Sequence, residues 1–215
     1  MCGVIGVSLD NVTPYQVSLV RRVMKETQIR GLHASGVAYH DGRNLVCTKL
    51  ASPITELADR IHWEAVAYTG NLKMIAHARY STSDMEFHQP LGDEEMYIAH
   101  NGVITQEPPE TWRETYGYDF NTRNDSEILL QKLSKEGEAS SVINGLNGSS
   151  IAFVSIDRDG IVSGYRNTLR PLWRTQLSNG FILTSTKDIM MRASEGIWIP
   201  EKVEPTGSGQ DYQIR

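Results

Sequence analysis

Met1-Cys2-Gly3-Val4-Ile5-Gly6-Val7-Ser8 opens the chain, and its reading decides the fold. Residues 3–8 are small, apolar or β-branched, with no charge before Asp10. They read as a first strand buried on both faces. With no basic lead-in and an early Asp10, the segment is not expected to be a signal peptide. Cys2 stands at the start of that strand. If Met1 is removed, residue 2 carries both a thiol and a free α-amine. Such an amine titrates near about 7.7–8.0, so it can act as a base to the thiol beside it. The alternative is a terminal residue with no chemistry; a strand that fixes Cys2 at an exposed start raises the nucleophilic reading.

Outward from this strand, Thr13-Pro14-Tyr15-Gln16 has the form of a helix start, with Thr13 as cap, Pro14 at the first helical position and Gln16 completing a capping box. Val17, Val20, Met24 and Thr27 would share its inner face, and the helix would end before Arg30-Gly31. Asp41-Gly42 reads as a two-residue turn between strands 37–40 and 44–48. A second helix is expected from Ser52-Pro53 to about Val66, core strands over 73–80 and 96–101, and a third helix over 125–134 with Ile128, Leu129 and Leu133 inward. Hairpins follow around Asp159-Gly160 and Asn179-Gly180, then a short helix over 187–193. Residues 107–122, with Pro108-Pro109, read as a surface excursion. The sum is an α+β domain of packed, mainly antiparallel sheets covered by helices, one domain spanning 1–215.

Composition excludes several classes. At 215 residues, 40% hydrophobic and 22% charged, the chain can build a core and is not disordered. A net charge of −5, with no basic cluster beyond Arg21-Arg22, argues against nucleic-acid binding. No apolar run approaches the roughly 18 residues of a membrane span. Cys2 and Cys47 are the only cysteines. They make neither a disulfide framework nor a multi-cysteine zinc site, and they point to a reducing compartment, the cytoplasm. The histidines are scattered and no Gly-rich phosphate loop occurs, so neither a metal nor a cofactor is expected.

An acyl-transfer thiol needs an oxyanion hole and groups that hold the substrate. In His100-Asn101-Gly102, Asn101 offers a side-chain N–H and Gly102 lets its backbone N–H come close to a ligand; Asn-Gly is also a hairpin turn signal. Arg79 lies late in the apolar strand Met74-Ile75-Ala76-His77-Ala78-Arg79. It either clamps a carboxylate or forms a structural ion pair. Asp125, at a helix start, is either a cap or the partner of an ammonium group.

In combination these segments resemble the class II glutamine amidotransferase domain, the N-terminal-nucleophile (Ntn) glutaminase. The resemblance rests on Met1-Cys2-Gly3-Val4-Ile5-Gly6, Arg30-Gly31-Leu32-His33-Ala34-Ser35-Gly36-Val37, His77-Ala78-Arg79-Tyr80-Ser81-Thr82, His88-Gln89-Pro90, His100-Asn101-Gly102, Asn124-Asp125-Ser126-Glu127, Arg170-Pro171-Leu172 and Leu183-Thr184-Ser185-Thr186, in that order. It implies an αββα sandwich of two mainly antiparallel sheets between helix layers. It further implies Cys2 as nucleophile with its α-amine as base, Asn101 and Gly102 N–H as oxyanion donors, Arg79 on the α-carboxylate of L-glutamine, Asp125 on its α-ammonium and Thr82 beside Arg79. Arg30, His77 and His100 would be supporting residues. The thiol would attack the side-chain amide, release ammonia through a γ-glutamyl thioester and give glutamate. Ser83-Asp84-Met85-Glu86 departs from the family in lacking glycine, and Ser185-Thr186-Lys187 replaces the usual closing residues. Because the chain ends at Arg215, the acceptor of the ammonia is expected on a separate synthetase or transferase. The rival readings are another N-terminal-cysteine amide hydrolase, and a catalytically silent binding or regulatory subunit of the same fold.

Overall fold

The computed structural model describes residues 2–67, 70–80, 88–137, 139–167, 169–198 and 200–207. The chain runs β1 (Gly3–Leu9), α1 (Pro14–Thr27), β2 (Ala34–His40), β3 (Leu45–Leu50), α2 (Ile54–Arg60), α3 (Trp63–Val66), β4 (Leu72–Arg79), β5 (Leu91–Gly92), β6 (Met96–Val103), α4 (Trp112–Tyr116), α5 (Ser126–Glu136), α6 (Ala139–Asn144), β7 (Ser150–Asp157), β8 (Val162–Arg166), β9 (Trp173–Leu177), β10 (Gly180–Thr184), α7 (Lys187–Ser194) and β11 (Val203–Pro205). Single 3-10 turns occupy Gln28–Arg30 and Pro109–Thr111.

A seven-stranded sheet, ordered β11-β9-β10-β1-β4-β2-β3, faces a four-stranded sheet, ordered β5-β6-β7-β8. Their strand pairs are antiparallel. The apolar residues sort into three layers. Ile5, Val7 and Leu9 of β1 pack with Leu19, Val20, Val23 and Met24 of α1 and with α2 and α7 on the outside of the larger sheet. Val4, Ile75, Ala99, Val154 and Leu183 fill the space between the sheets. Ile98, Phe153, Ile128, Leu129 and Val142 join the smaller sheet to α5 and α6. This is an αββα sandwich, and β1 reads as a continuous apolar run because both of its faces are covered.

The capping box at Thr13 forms, with Gln16 N–H on Thr13 Oγ1 and Thr13 N–H on Gln16 Oε1. The inner face of α1 is Gln16, Leu19, Val20, Val23, Met24 and Thr27; Val17 is only half-buried. The first hairpin loop is 41–44, wider than two residues, because Asp41 Oδ1 accepts from both Arg43 and Asn44 N–H. The helix expected through Val66 breaks at Ile61, where the backbone turns extended, and the Trp63 indole N–H takes the Ala58 carbonyl at 2.9 Å. Residues 107–122 are less peripheral than expected. Trp112 is buried, and its indole N–H donates to Glu107 O.

Candidate active site

Alternation along the strands decides which side chains meet. On β1, Val4 faces the inter-sheet space, so Cys2, two residues earlier, faces the same way. On β4, Ile75 does so, and His77 and Arg79 follow at the same period. On β6, Ala99 faces inward and Asn101 continues that row, while Ile98 and His100 face α5. Gly3 pairs with Ala78 in the β1–β4 ladder, which brings Cys2 beside Arg79. The sheets thus open at one rim onto a cavity of about 620 Å³, lined by Cys2, His77, Arg79, Asn101, Gly102 and Asp125 among others.

The Cys2 end of the cavity is packed closely around glycines. A Cβ on Gly3 would meet Thr27 Cγ2 at 2.5 Å and Arg30 Cβ at 2.9 Å. Arg30 Nε donates to the Cys2 carbonyl at 3.4 Å. Gly31 allows the 79–80 backbone to come close, since a Cβ there would lie 2.3 Å from the Arg79 carbonyl carbon. On the other side of β1, the Ser185 hydroxyl accepts the Val4 N–H at 2.7 Å, which gives the departing closing residues a structural part. Cys2 is a free, half-buried thiol whose Sγ lies 3.9 Å from Tyr80 O.

Asn101-Gly102 is not a turn. Both residues lie inside β6, opposite Ala152 and Ile151. A Cβ on Gly102 would sit 1.7 Å from Ser150 O, so only glycine lets β7 approach here. Asn101 is buried, and its Nδ2 has no hydrogen-bond partner among the described residues. A buried unpaired amide donor costs roughly 1–3 kcal/mol, and one lining a cavity is ready to bind an oxygen.

Asp125 is not a conventional cap. Asn124 Oδ1 accepts the Ser126 N–H at the helix start, and the Asp125 carboxylate instead takes the Ile104 N–H at 2.6 Å. Burial raises its pKa, against the pull of the Ile104 and Thr105 N–H groups. No described Lys or Arg pairs with it, so a cation entering the cavity would gain from it.

The two histidines are buried and neutral. Burial, helped by Arg79, lowers the pKa of His77 to about 3; burial also lowers that of His100 to about 4. His77 lines the cavity, and neither ring nitrogen makes a well-formed hydrogen bond among the described residues. Thr82 and residues 83–86 lie outside the described residues. The site also holds residues the sequence reading did not assign a role: Gln89, Ser126, Trp112 and Arg170, the last donating to Ser150 Oγ at 3.1 Å. Gln89, Ser126 and Arg170 lay in quoted motifs; Trp112 had no signal.

Residues 47–199 match the family described as glutamine amidotransferase domain. The chain belongs to the class II glutamine amidotransferases. The matched stretch contains Arg79, Asn101, Gly102 and Asp125 and begins after Cys2 and Arg30. Glutamine–fructose-6-phosphate aminotransferases are among the curated relatives. That of Clostridium acetobutylicum is 26% identical over 60% of this chain and 21% of its own length. That of Rhizobium meliloti is 28% identical over 63% of this chain and 22% of its own. The chain spans about a fifth of the length of the curated relatives it matches. Among solved structures, the glutamine phosphoribosylpyrophosphate amidotransferase of B. subtilis superposes with a TM-score of 0.71 at 21% identity, over 95% of this chain and 44% of that one. A class-II glutamine aminotransferase domain protein from Silicibacter pomeroyi gives 0.51 at 14% identity, over 86% and 88%. At these identities the superpositions speak for the fold, which is that of the Ntn amide hydrolases; the family is one of amide-hydrolysing enzymes. No described helix is long and apolar enough to cross a membrane.

Proposed function

We propose that residues 1–215 act as one glutaminase unit that hydrolyses the side-chain amide of L-glutamine. Cys2, freed of Met1, attacks the amide carbon, and its α-amine takes the thiol proton. The tetrahedral oxyanion is held by Asn101 Nδ2 and the Gly102 N–H. The α-amine returns the proton to the leaving nitrogen, ammonia departs, and a γ-glutamyl thioester remains on Cys2. Water, deprotonated by the same amine, cleaves the thioester to glutamate. Arg79 takes the α-carboxylate, Asp125 the α-ammonium, and Thr82 supports the substrate beside Arg79.

One arrangement carries this reading: a thiol, a guanidinium, a half-buried carboxylate that no described Lys or Arg pairs with and a buried amide N–H without an acceptor among the described residues line the same cavity. A free amino acid with a side-chain amide supplies the complement of each. The ammonia then passes to an acceptor on a separate synthetase or transferase. The much longer relatives, named for transfer to fructose 6-phosphate, support a coupled acceptor. So do the exposed apolar side chains of Ile29, Leu32, Tyr80 and Leu169, which stand on segments that touch Cys2 or line the cavity. The thiol chemistry fits a reducing cytoplasm.

Intact mass before and after a glutamine-mimicking diazoketone tests the assignment. Loss of Met1 and a single adduct on Cys2, blocked by excess glutamine, is the expected result. Quantitative retention of Met1 in natively expressed protein rules out the α-amine mechanism and favours a silent subunit. Co-purification that returns only a monomeric, fully active glutaminase removes the separate acceptor.

A further inference from the structure

In the cavity wall three buried residues, Gln89, His100 and Ser126, close a triangle of hydrogen bonds. Gln89 Oε1 accepts the His100 N–H at 2.6 Å, Gln89 Nε2 donates to Ser126 Oγ at 3.1 Å, and Ser126 Oγ lies 2.9 Å from His100 Nδ1. Gln89 is 5% exposed, Ser126 1% and His100 2%. The directions are mutually consistent for a neutral imidazole. The Gln89 amide donates to the serine oxygen, the serine hydroxyl donates to Nδ1, and the ring proton sits on Nε2, facing the Ser150 carbonyl at 3.4 Å.

Each of two corners adjoins a residue that the glutaminase reading uses. His100 precedes Asn101, the oxyanion donor, and Ser126 follows Asp125, the ammonium partner. Gln89 touches both corners and comes from a third segment. Room for that segment is made in the other sheet: a Cβ on Gly36 of β2 would lie 2.2 Å from Gln89 O and 2.7 Å from Pro90 Cδ. The Gly36 and Gln89-Pro90 motifs, far apart in sequence, are two sides of one contact.

We propose that Gln89 is a positioning residue that fixes the separation of Asn101 and Asp125, and so the length of amide side chain the site hydrolyses. The proposal rests on the glutaminase reading. Glutamine and asparagine carry the same ammonium, carboxylate and amide and differ by one methylene. When the amino-acid end is clamped and the oxyanion donor is locked to the clamp, the shorter amide stops short of the thiol. Displacements of about 1 Å at a reacting centre cost on the order of 10²-fold in rate. A closed buried polar network is suited to hold such a distance, because releasing one bond leaves two groups unsatisfied.

The test uses the full chain, with ammonia release from glutamine and from asparagine, thermal unfolding, and alkylation of Cys2 by iodoacetamide. Gln89→Met keeps the length of the side chain and removes both of its bonds. The expected result is a fall of about 10–100-fold in kcat for glutamine, with KM changed far less and Cys2 alkylated at the wild-type rate. The glutamine-to-asparagine ratio of kcat/KM should narrow at least about tenfold. Ser126→Ala should narrow it as well and Ser126→Thr, which restores the hydroxyl, should recover it; this pair decides the matter if Gln89→Met does not fold. An unchanged ratio in a folded Gln89→Met, or in Ser126→Ala, overturns the proposal while leaving the glutaminase reading in place. A folded wild-type chain, free of Met1, that hydrolyses neither amide overturns both.

Discussion

The two sheets hold their shares of the cavity by different means. The seven-stranded sheet delivers Cys2 and Arg79 through backbone pairing: Gly3 against Ala78, Ala34 against Arg79, and the Ser185 N–H on the Val4 carbonyl. The four-stranded side delivers Asn101 and Asp125 through side chains as well, with Gln89, Ser126 and His100 bonded to one another and Asn124 closing the helix start. The first kind of support survives changes to the side chains it carries. The second does not, because each lost partner strands another buried polar group. The thiol proposed as nucleophile therefore rides on a ladder, whereas the amide proposed as oxyanion donor is held by a network around it.

The sharpest way to probe the ladder side is Cys2→Ala. The thiol has one weak polar contact, 3.9 Å from Tyr80 O, so the melting temperature should stay within a degree or two while glutamine turnover falls on the order of 10⁵-fold. A large loss of stability would mean that the nucleophile also holds the rim together, and the contrast between the sheets would fail.

Asn101→Ala is the matching change on the network side. Its Nδ2 has no partner to abandon among the described residues, so stability should be kept or lost only through packing. Turnover should fall about 10²–10³-fold, or roughly 2.7–4 kcal/mol, the usual effect of losing one oxyanion donor, with KM little altered. Equal losses in kcat and in stability would place Asn101 in the framework instead of the reaction.

Much of the ladder side was legible in the sequence and little of the network. The run Gly3 to Ser8, the box at Thr13 and Gln16, and the period-two placement of His77 and Arg79 are local patterns, and local patterns survive folding. The triangle joins residues 11, 26 and 37 positions apart, and no spacing rule connects a glutamine in a loop to a serine on a helix. Asn101-Gly102 gave a turn signal that strand pairing overrode, because Gly102 is needed to let β7 approach. Asp125 gave a capping signal that Asn124 satisfied instead. Trp112 sat in an irregular stretch whose burial depends on its indole reaching Glu107 O.

Acidification should loosen both sides, because one buried histidine, His77, stands on the ladder and the other, His100, in the network. His77 and His100 have folded pKa values lowered to about 3 and about 4, from an ordinary 6.5. Unfolded rings bind protons that the folded ones refuse, so this stability is complete above about 6.5 and is lost as pH falls toward the folded values. The limiting slope is about 1.4 kcal/mol per pH unit for each ring. Asp125 works the other way, since burial raises its pKa: its share of stability grows as pH drops toward that value. Urea midpoints measured between pH 7 and pH 5 should fall, because the two histidines titrate there in the unfolded chain and together outweigh the opposing contribution of the single Asp125. In the same series KM for glutamine should begin to rise at a higher pH than an unshifted carboxylate would give, as Asp125 loses the charge proposed to hold the ammonium. A flat midpoint would mean that the rings accept protons in place.

Ser185→Ala tests whether the ladder alone is enough to place the nucleophile. The hydroxyl is buried and accepts the Val4 N–H, so its removal strands one donor in the inter-sheet layer at a cost of about 1–3 kcal/mol. For a chain of this length that corresponds to a melting temperature lower by about 2–4 °C for each kcal/mol. Cys2 should still alkylate at the wild-type rate and KM should hold, because the β1–β4 pairs from Gly3↔Ala78 to Leu9↔Leu72 remain and the Ser185 N–H still donates to the Val4 carbonyl at 3.1 Å. A loss of turnover well beyond the loss of folded protein would show that strand pairing leaves the first residues of β1 loose. The nucleophile would then depend on buried side-chain bonds as Asn101 and Asp125 do, and the two halves of the cavity would be built by one rule.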